Sequence, residues 1–168
     1  MEANKFNLEE VYNQQLSEML TAEKKYNKYF ERLAKAAYTE ELRSGLSPAS
    51  NEFPQHLERI KRCMAIQKIK ASTTTTELNE VILKQVDQAI KSGKEKTIKR
   101  DIQLLQVSKI MLQVKIAVYQ TIHQIAVALG NETAAVMMEE CYKDNQNAYA
   151  YLMQISANII YPQSVVTS

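Results

Sequence analysis

Glu23 and Lys115 are the residues of this sequence whose placement most invites chemistry, because each sits where an apolar side chain belongs. Glu23 interrupts the stripe Leu8, Tyr12, Gln15, Met19, Tyr26, Phe30, Leu33 and Ala37, whose spacing of three and four defines one helix face. Lys115 falls on a second such stripe, Leu105, Ser108, Leu112, Tyr119 and Ile122. Burying either charge alone costs several kcal/mol, so they are expected to pair, unless Lys115 reaches solvent along its aliphatic stem. His56 and His123 are the other groups able to bind a metal or move a proton. Neither follows a carboxylate at the third preceding position, so no Glu-x-x-His ligand pair exists. The bracketing of His123 by Ile122 and Ile125 reads as packing. Cys63 and Cys141 are too few for a disulfide framework and read as reduced, buried thiols that could face each other. The sequence holds no Gly-rich phosphate loop, nucleophile elbow or Cys-x-x-Cys pair.

The elements that must carry these groups are helices. Gly and Pro number three each among 168 residues, and helix formers dominate. Five helices are expected, at about residues 7–38, 54–71, 77–92, 97–129 and 132–160, with a tail over 161–168. Ser44 to Phe53, with Gly45 and Pro48, reads as a loop. Thr74 and Glu77 have capping-box spacing for the third helix, and Gly93 marks its stop. Its inward face is expected to be Leu78, Val81, Ile82, Gln85, Val86, Ala89 and Ile90. The fourth helix is apolar on more than one face, which suits a central position or a subunit contact. The tight Gly130-Asn131 junction makes the last two helices an antiparallel pair. Tyr161-Pro162 is expected to end the last helix. Two hairpins joined by a long connection that contains the third helix give a four-helix bundle with one long crossover, in a single domain.

Three segments resemble the YciE/YciF ferritin-like family: LEEVYNQQLSEMLTAEKKY near the start, HLERIKRC at His56 to Cys63, and IAVYQTIHQIAVALGNETAAVMMEE at Ile116 to Glu140. The likeness covers most of residues 6 to 160. It implies an all-α, ferritin-like four-helix bundle, a homodimer, and an association with bacterial stress responses. It also implies inward carboxylates suited to two metal ions, since hard cations close together need oxygen donors from several helices. Glu23 matches the first-helix carboxylate of the family. At the other ligand positions this sequence places Arg59 and Cys63 in the second helix, Leu112 and Lys115 in the fourth, and Asn145 in the fifth. Asp144 is the one acid left from the pair in the fifth helix, and Glu139 and Glu140 lie a turn before it.

The expectation is therefore a divergent member whose metal site is degenerate. Glu23 would pair with Lys115, or Lys115 with Asp144, and Arg59 would add a second cation. Such a protein is non-catalytic, needs no cofactor, and acts through assembly or protein contacts. The alternative is residual iron or manganese binding, or an oxidase, through Glu23, Glu140, Asp144 and His123. A net charge of +2 implies no strong attraction to nucleic acid. The cluster Lys91, Lys94, Lys96, Lys99 and Arg100 reads as a solvated turn, because Glu95 and Asp101 interrupt it and no aromatic accompanies it. Tyr142, Tyr149, Tyr151 and Tyr161 suit an interface or ordinary packing equally. No apolar run crosses a membrane and no signal peptide is read, so a cytoplasmic protein is expected.

Overall fold

The structure, a computed structural model, describes residues 6–73, 75–93 and 95–165. These form helices α1 (Leu8–Ala36), α2 (Glu40–Leu46), α3 (Phe53–Ile66), α4 (Glu77–Lys91), α5 (Ile98–Ala128), α6 (Glu132–Ile155) and α7 (Tyr161–Ser164). Helix α1 pairs with α3 and α5 pairs with α6, and the two hairpins meet through α1 on α5 and α3 on α6. Helix α4 lies in the crossover and packs on α1 and α5. The all-α bundle with a helix in its long connection is thus the architecture expected from the sequence. No helix among the described residues is long and apolar enough to cross a membrane.

Local chemistry sets the helix starts. The side chains of Asn7, Thr76, Thr97 and Asn131 each accept a backbone N–H of the first turn of α1, α4, α5 and α6. Thr76 therefore does the capping at α4, while Thr74 lies outside the described residues. Gly130, at φ 71°, makes the left-handed turn that folds α6 back along α5.

Five expectations need correction. The first helix ends at Ala36 rather than Tyr38, and a separate short helix, α2, follows. Asp101 explains this break: its carboxylate accepts the backbone N–H groups of Tyr38 and Thr39 and the Thr39 hydroxyl, at 2.7–2.8 Å. Gly45 is a packing residue within α2, since a Cβ there would stand 2.8 Å from Ile155 Cδ1 of α6. The second helix stops at Ile66, not Ala71, because Lys68 turns left-handed at φ 53°. The connection that follows is tied to α1 by Ser17 and Thr21, whose hydroxyls donate to the carbonyls of Lys70 and Ser72. The inward face of α4 is Asn79, Ile82, Leu83 and Val86, whereas Leu78 and Val81 are exposed. Finally, Tyr161-Pro162 does not end the last helix. A π-helical turn over Ser156–Ile160 leads into α7, with Pro162 in its first turn, where a missing N–H costs nothing.

Candidate functional site: a buried ion cluster

Each of the four bundle helices contributes at least one charged or aromatic group to a common centre. From α1 comes Glu23, from α3 Phe53, His56 and Arg59, from α5 Lys115 and Tyr119, and from α6 Asp144. Glu23, His56, Lys115 and Tyr119 are wholly inaccessible to solvent. Helix geometry accounts for the grouping. His56 and Arg59 are three apart on α3, and Lys115 and Tyr119 four apart on α5, so each pair projects from one face.

Lys115 Nζ lies 2.8 Å from Glu23 Oε1. The approach is an ion contact rather than an aligned hydrogen bond, so its strength is Coulombic. The same nitrogen stands 3.6 Å from the centroid of the Phe53 ring and 5.5 Å from that of Phe30. A carboxylate on one side and aromatic faces on the other are the surroundings that a desolvated ammonium requires. The second Glu23 oxygen accepts the Tyr119 hydroxyl at 2.7 Å.

His56 links this pair to the rim. Its Nδ1 is 3.6 Å from Glu23 Oε1 and its Nε2 is 3.2 Å from Asp144 Oδ2, while the ring edge packs on Tyr119. Whichever nitrogen carries the proton faces a carboxylate oxygen. Asp144 also accepts Arg59 Nη1 at 2.8 Å, and Arg59 Nε reaches Glu140 at 3.0 Å. Glu140 is half exposed, so the chain of ions runs from the surface to the centre.

The electrostatic consequences are unequal for the two partners. Burial pushes the Glu23 carboxyl up, but Lys115 and His56 outweigh it and bring it down to about 2. Burial also drives the Lys115 ammonium down, and Glu23 only partly restores it. One shift favours the ionised carboxylate and the other disfavours the ammonium. The Glu23 direction is the firmer, because Tyr119 and His56 support its charge as well. Asp144 is raised by burial yet ends below its ordinary value through His56 and Arg59.

The remaining candidates disperse. Leu112 is buried as an apolar residue, and Cys63 packs beside Tyr12 and 3.7 Å from Met137 Sδ. Burial pushes the Cys63 thiol up to about 11 and raises that of Cys141, so neither is a ready nucleophile. Both are free thiols, and their neighbours differ: Tyr12 and Met137 for Cys63, the Arg59 guanidinium for Cys141. Asn145 is buried and donates to the Cys141 carbonyl at 2.8 Å. Glu139 pairs with Lys143 on the surface. His123 takes no part: its Nδ1 meets the Ala135 carbonyl at 2.9 Å and its ring stacks edge-on with Tyr142. His56, set aside by the spacing rule, is central instead. Its signal was present in its position on the α3 face shared with Arg59, Ile60 and Cys63.

The donor set does not suit a pair of metal ions. Two carboxylates and one imidazole converge, but an ammonium and a guanidinium already hold those carboxylates. Two divalent ions would have to displace both cations.

A family model described as a domain of unknown function, DUF892, matches residues 7–163. No curated protein matches the chain. Among solved structures, the Escherichia coli stress protein YciF is similar at a TM-score of 0.83 and 24% identity, over 90% of this chain and 96% of that one. YcfI from Rhodopseudomonas palustris, described as a putative structural protein, is similar at a TM-score of 0.80 and 17% identity, over 99% of both chains. The chain belongs to the DUF892 family and has the fold of YciF.

Proposed function

We propose that this chain is a non-catalytic, stress-related member of its family, a ferritin-like bundle whose metal centre has been replaced by side-chain cations and which acts through assembly. The carrying observation is the Lys115 ammonium, wholly buried and 2.8 Å from Glu23. It supplies at that carboxylate the positive charge a metal ion would supply, and Arg59 does the same at Asp144. The stress association is supported by the likeness to the stress protein YciF, and action through assembly by the likeness to YcfI, described as a putative structural protein. The proposed protein is cytoplasmic and needs no cofactor.

One observation favours the second reading, residual iron or manganese binding: His56 places an imidazole between Glu23 and Asp144. Metal analysis separates the two. Protein purified from iron- and manganese-supplemented medium is expected to carry far less than one metal ion per chain. Near-stoichiometric iron or manganese, lost on replacing Glu23 by Gln, overturns the proposal.

A further inference from the structure

Sulfur is unevenly placed in this chain. Five of its nine sulfur-bearing residues are Cys63 and Met64 of α3 and Met137, Met138 and Cys141 of α6, all buried on two helices that pack together. Two of them meet directly, the Cys63 thiol donating to Met137 Sδ at 3.7 Å. The Tyr12 hydroxyl of α1 also faces Cys63. It is wholly buried and has no aligned hydrogen-bond partner.

A thiol against a thioether is ordinary packing when nothing else accompanies it. The Tyr12 hydroxyl is what sets this contact apart. A buried phenol normally finds an acceptor, and a neutral thiol is a poor one. A thiolate would be a good one. Burial pushes the Cys63 thiol up to about 11, so a thiolate cannot stand there alone. It needs a cation bound to the sulfur itself. Thiolate and thioether donors select soft ions. The charge of the ion follows from burial: one thiolate with one monovalent ion is neutral, whereas a divalent ion leaves a net charge inside the fold.

We infer that Cys63 and Met137 bind a soft monovalent cation, Cu(I) or Ag(I), between their sulfur atoms, with the Tyr12 hydroxyl donating to the Cys63 thiolate. A metal–thiolate bond is about 2.3 Å long, so two sulfurs 3.7 Å apart can both touch one ion. Binding replaces the thiol proton: the S–H bond breaks, a sulfur–metal bond forms, and the proton leaves to water. A route in exists. Met137 is 8% exposed and lines a depression of about 400 Å³ between α3 and α6. Arg62, Glu132 and Glu140 line it too, a net negative set that draws cations. The site shares no side chain with the Glu23 centre and takes ions of another class than iron or manganese.

Competition of the full chain against a chromogenic Cu(I) chelator, without oxygen and under reducing conditions, is expected to show one tightly held Cu(I) per chain, with thiolate-to-metal absorption in the near ultraviolet. Cys63→Ser and the volume-conserving Met137→Leu are each expected to weaken binding by roughly a hundredfold or more, and Tyr12→Phe by about tenfold. Helical circular dichroism should be unchanged, and Met137→Leu carries the test if the serine variant does not fold. Cys141→Ser is expected to bind as wild type does, since that thiol faces the Arg59 guanidinium instead. Ag(I), which undergoes no redox change, should give the same order of variants. A wild type without a stoichiometric ion overturns the inference. So does unchanged affinity in folded Met137→Leu or Tyr12→Phe, or a loss that follows Cys141. A chain free of Cu(I), iron and manganese removes this site and leaves the reading of the centre standing, whereas one that holds both Cu(I) and iron does the reverse.

Discussion

The centre of the bundle and the outer face of α5 invert the usual distribution of charge. Inside, Glu23 and Lys115 are wholly buried and are joined to Asp144 and Arg59 through His56. Outside, the exposed residues of α5 from Gln106 to Ala128 are glutamine, threonine, alanine and aliphatic side chains, and Leu78 and Val81 of α4 add two more aliphatic ones. Ordinary burial preferences would exchange these two compositions. Folding stability alone accounts for neither region. A buried ion pair is often no more stabilising than apolar residues of the same volume, and an exposed apolar face adds nothing to folding by burial.

The largest effect should come from breaking the centre. Lys115→Met leaves Glu23 buried without its closest counter-charge, and is expected to cost about 3–5 kcal/mol in urea denaturation. The double variant with Glu23→Gln should recover more than half of that loss, because no charge is then stranded. A single substitution within experimental error of wild type would mean that the pair does not hold the interior in its charged form.

Acid should act on the same pair. Glu23 titrates near 2 in the folded chain against about 4.5 unfolded, and Asp144 also lies below its ordinary value. A carboxyl depressed by folding contributes stability above its unfolded value and loses it as the pH falls through its folded value. Stability is therefore expected to decline from about pH 5 towards pH 2, with Glu23 alone accounting for about 3 kcal/mol. Urea midpoints across that interval should fall steeply for wild type and shallowly for Glu23→Gln. Equal slopes would remove Glu23 from the account.

Much of the centre was legible in the sequence because it rests on helix periodicity. Glu23 and Lys115 stood out as charges in apolar stripes, and the structure sets them in contact. Arg59 and Asp144 emerged from the family resemblance. His56 was missed because a rule about spacing within one helix cannot see partners on α1 and α6. Asp101 was missed for the same reason: the groups that donate to its carboxylate are backbone N–H groups some sixty residues away in sequence. The bundle itself followed from caps and periodicity, but α2 did not, since Gly45 reads as a breaker unless the side chains of Ile155 and Leu152 are known to lie against it. On α4 the sequence showed an apolar face wider than the interior needs. Ile82 and Val86 went inward, while Leu78 and Val81 remained outside.

That surplus on α4 gives the smallest and most discriminating test. Leu78 and Val81 are over half exposed, so replacing both by Gln should change the folding stability of the isolated chain by no more than about 0.5 kcal/mol each. Val86, on the same helix, is wholly buried, and Val86→Gln should cost about 2 kcal/mol or more by burying an amide without a partner. Urea denaturation separates the two variants. Leu78→Gln with Val81→Gln should keep a midpoint close to wild type, while Val86→Gln should lower it. Similar losses in both would place Leu78 and Val81 inside the fold, and the inverted charge distribution would then belong to the centre alone.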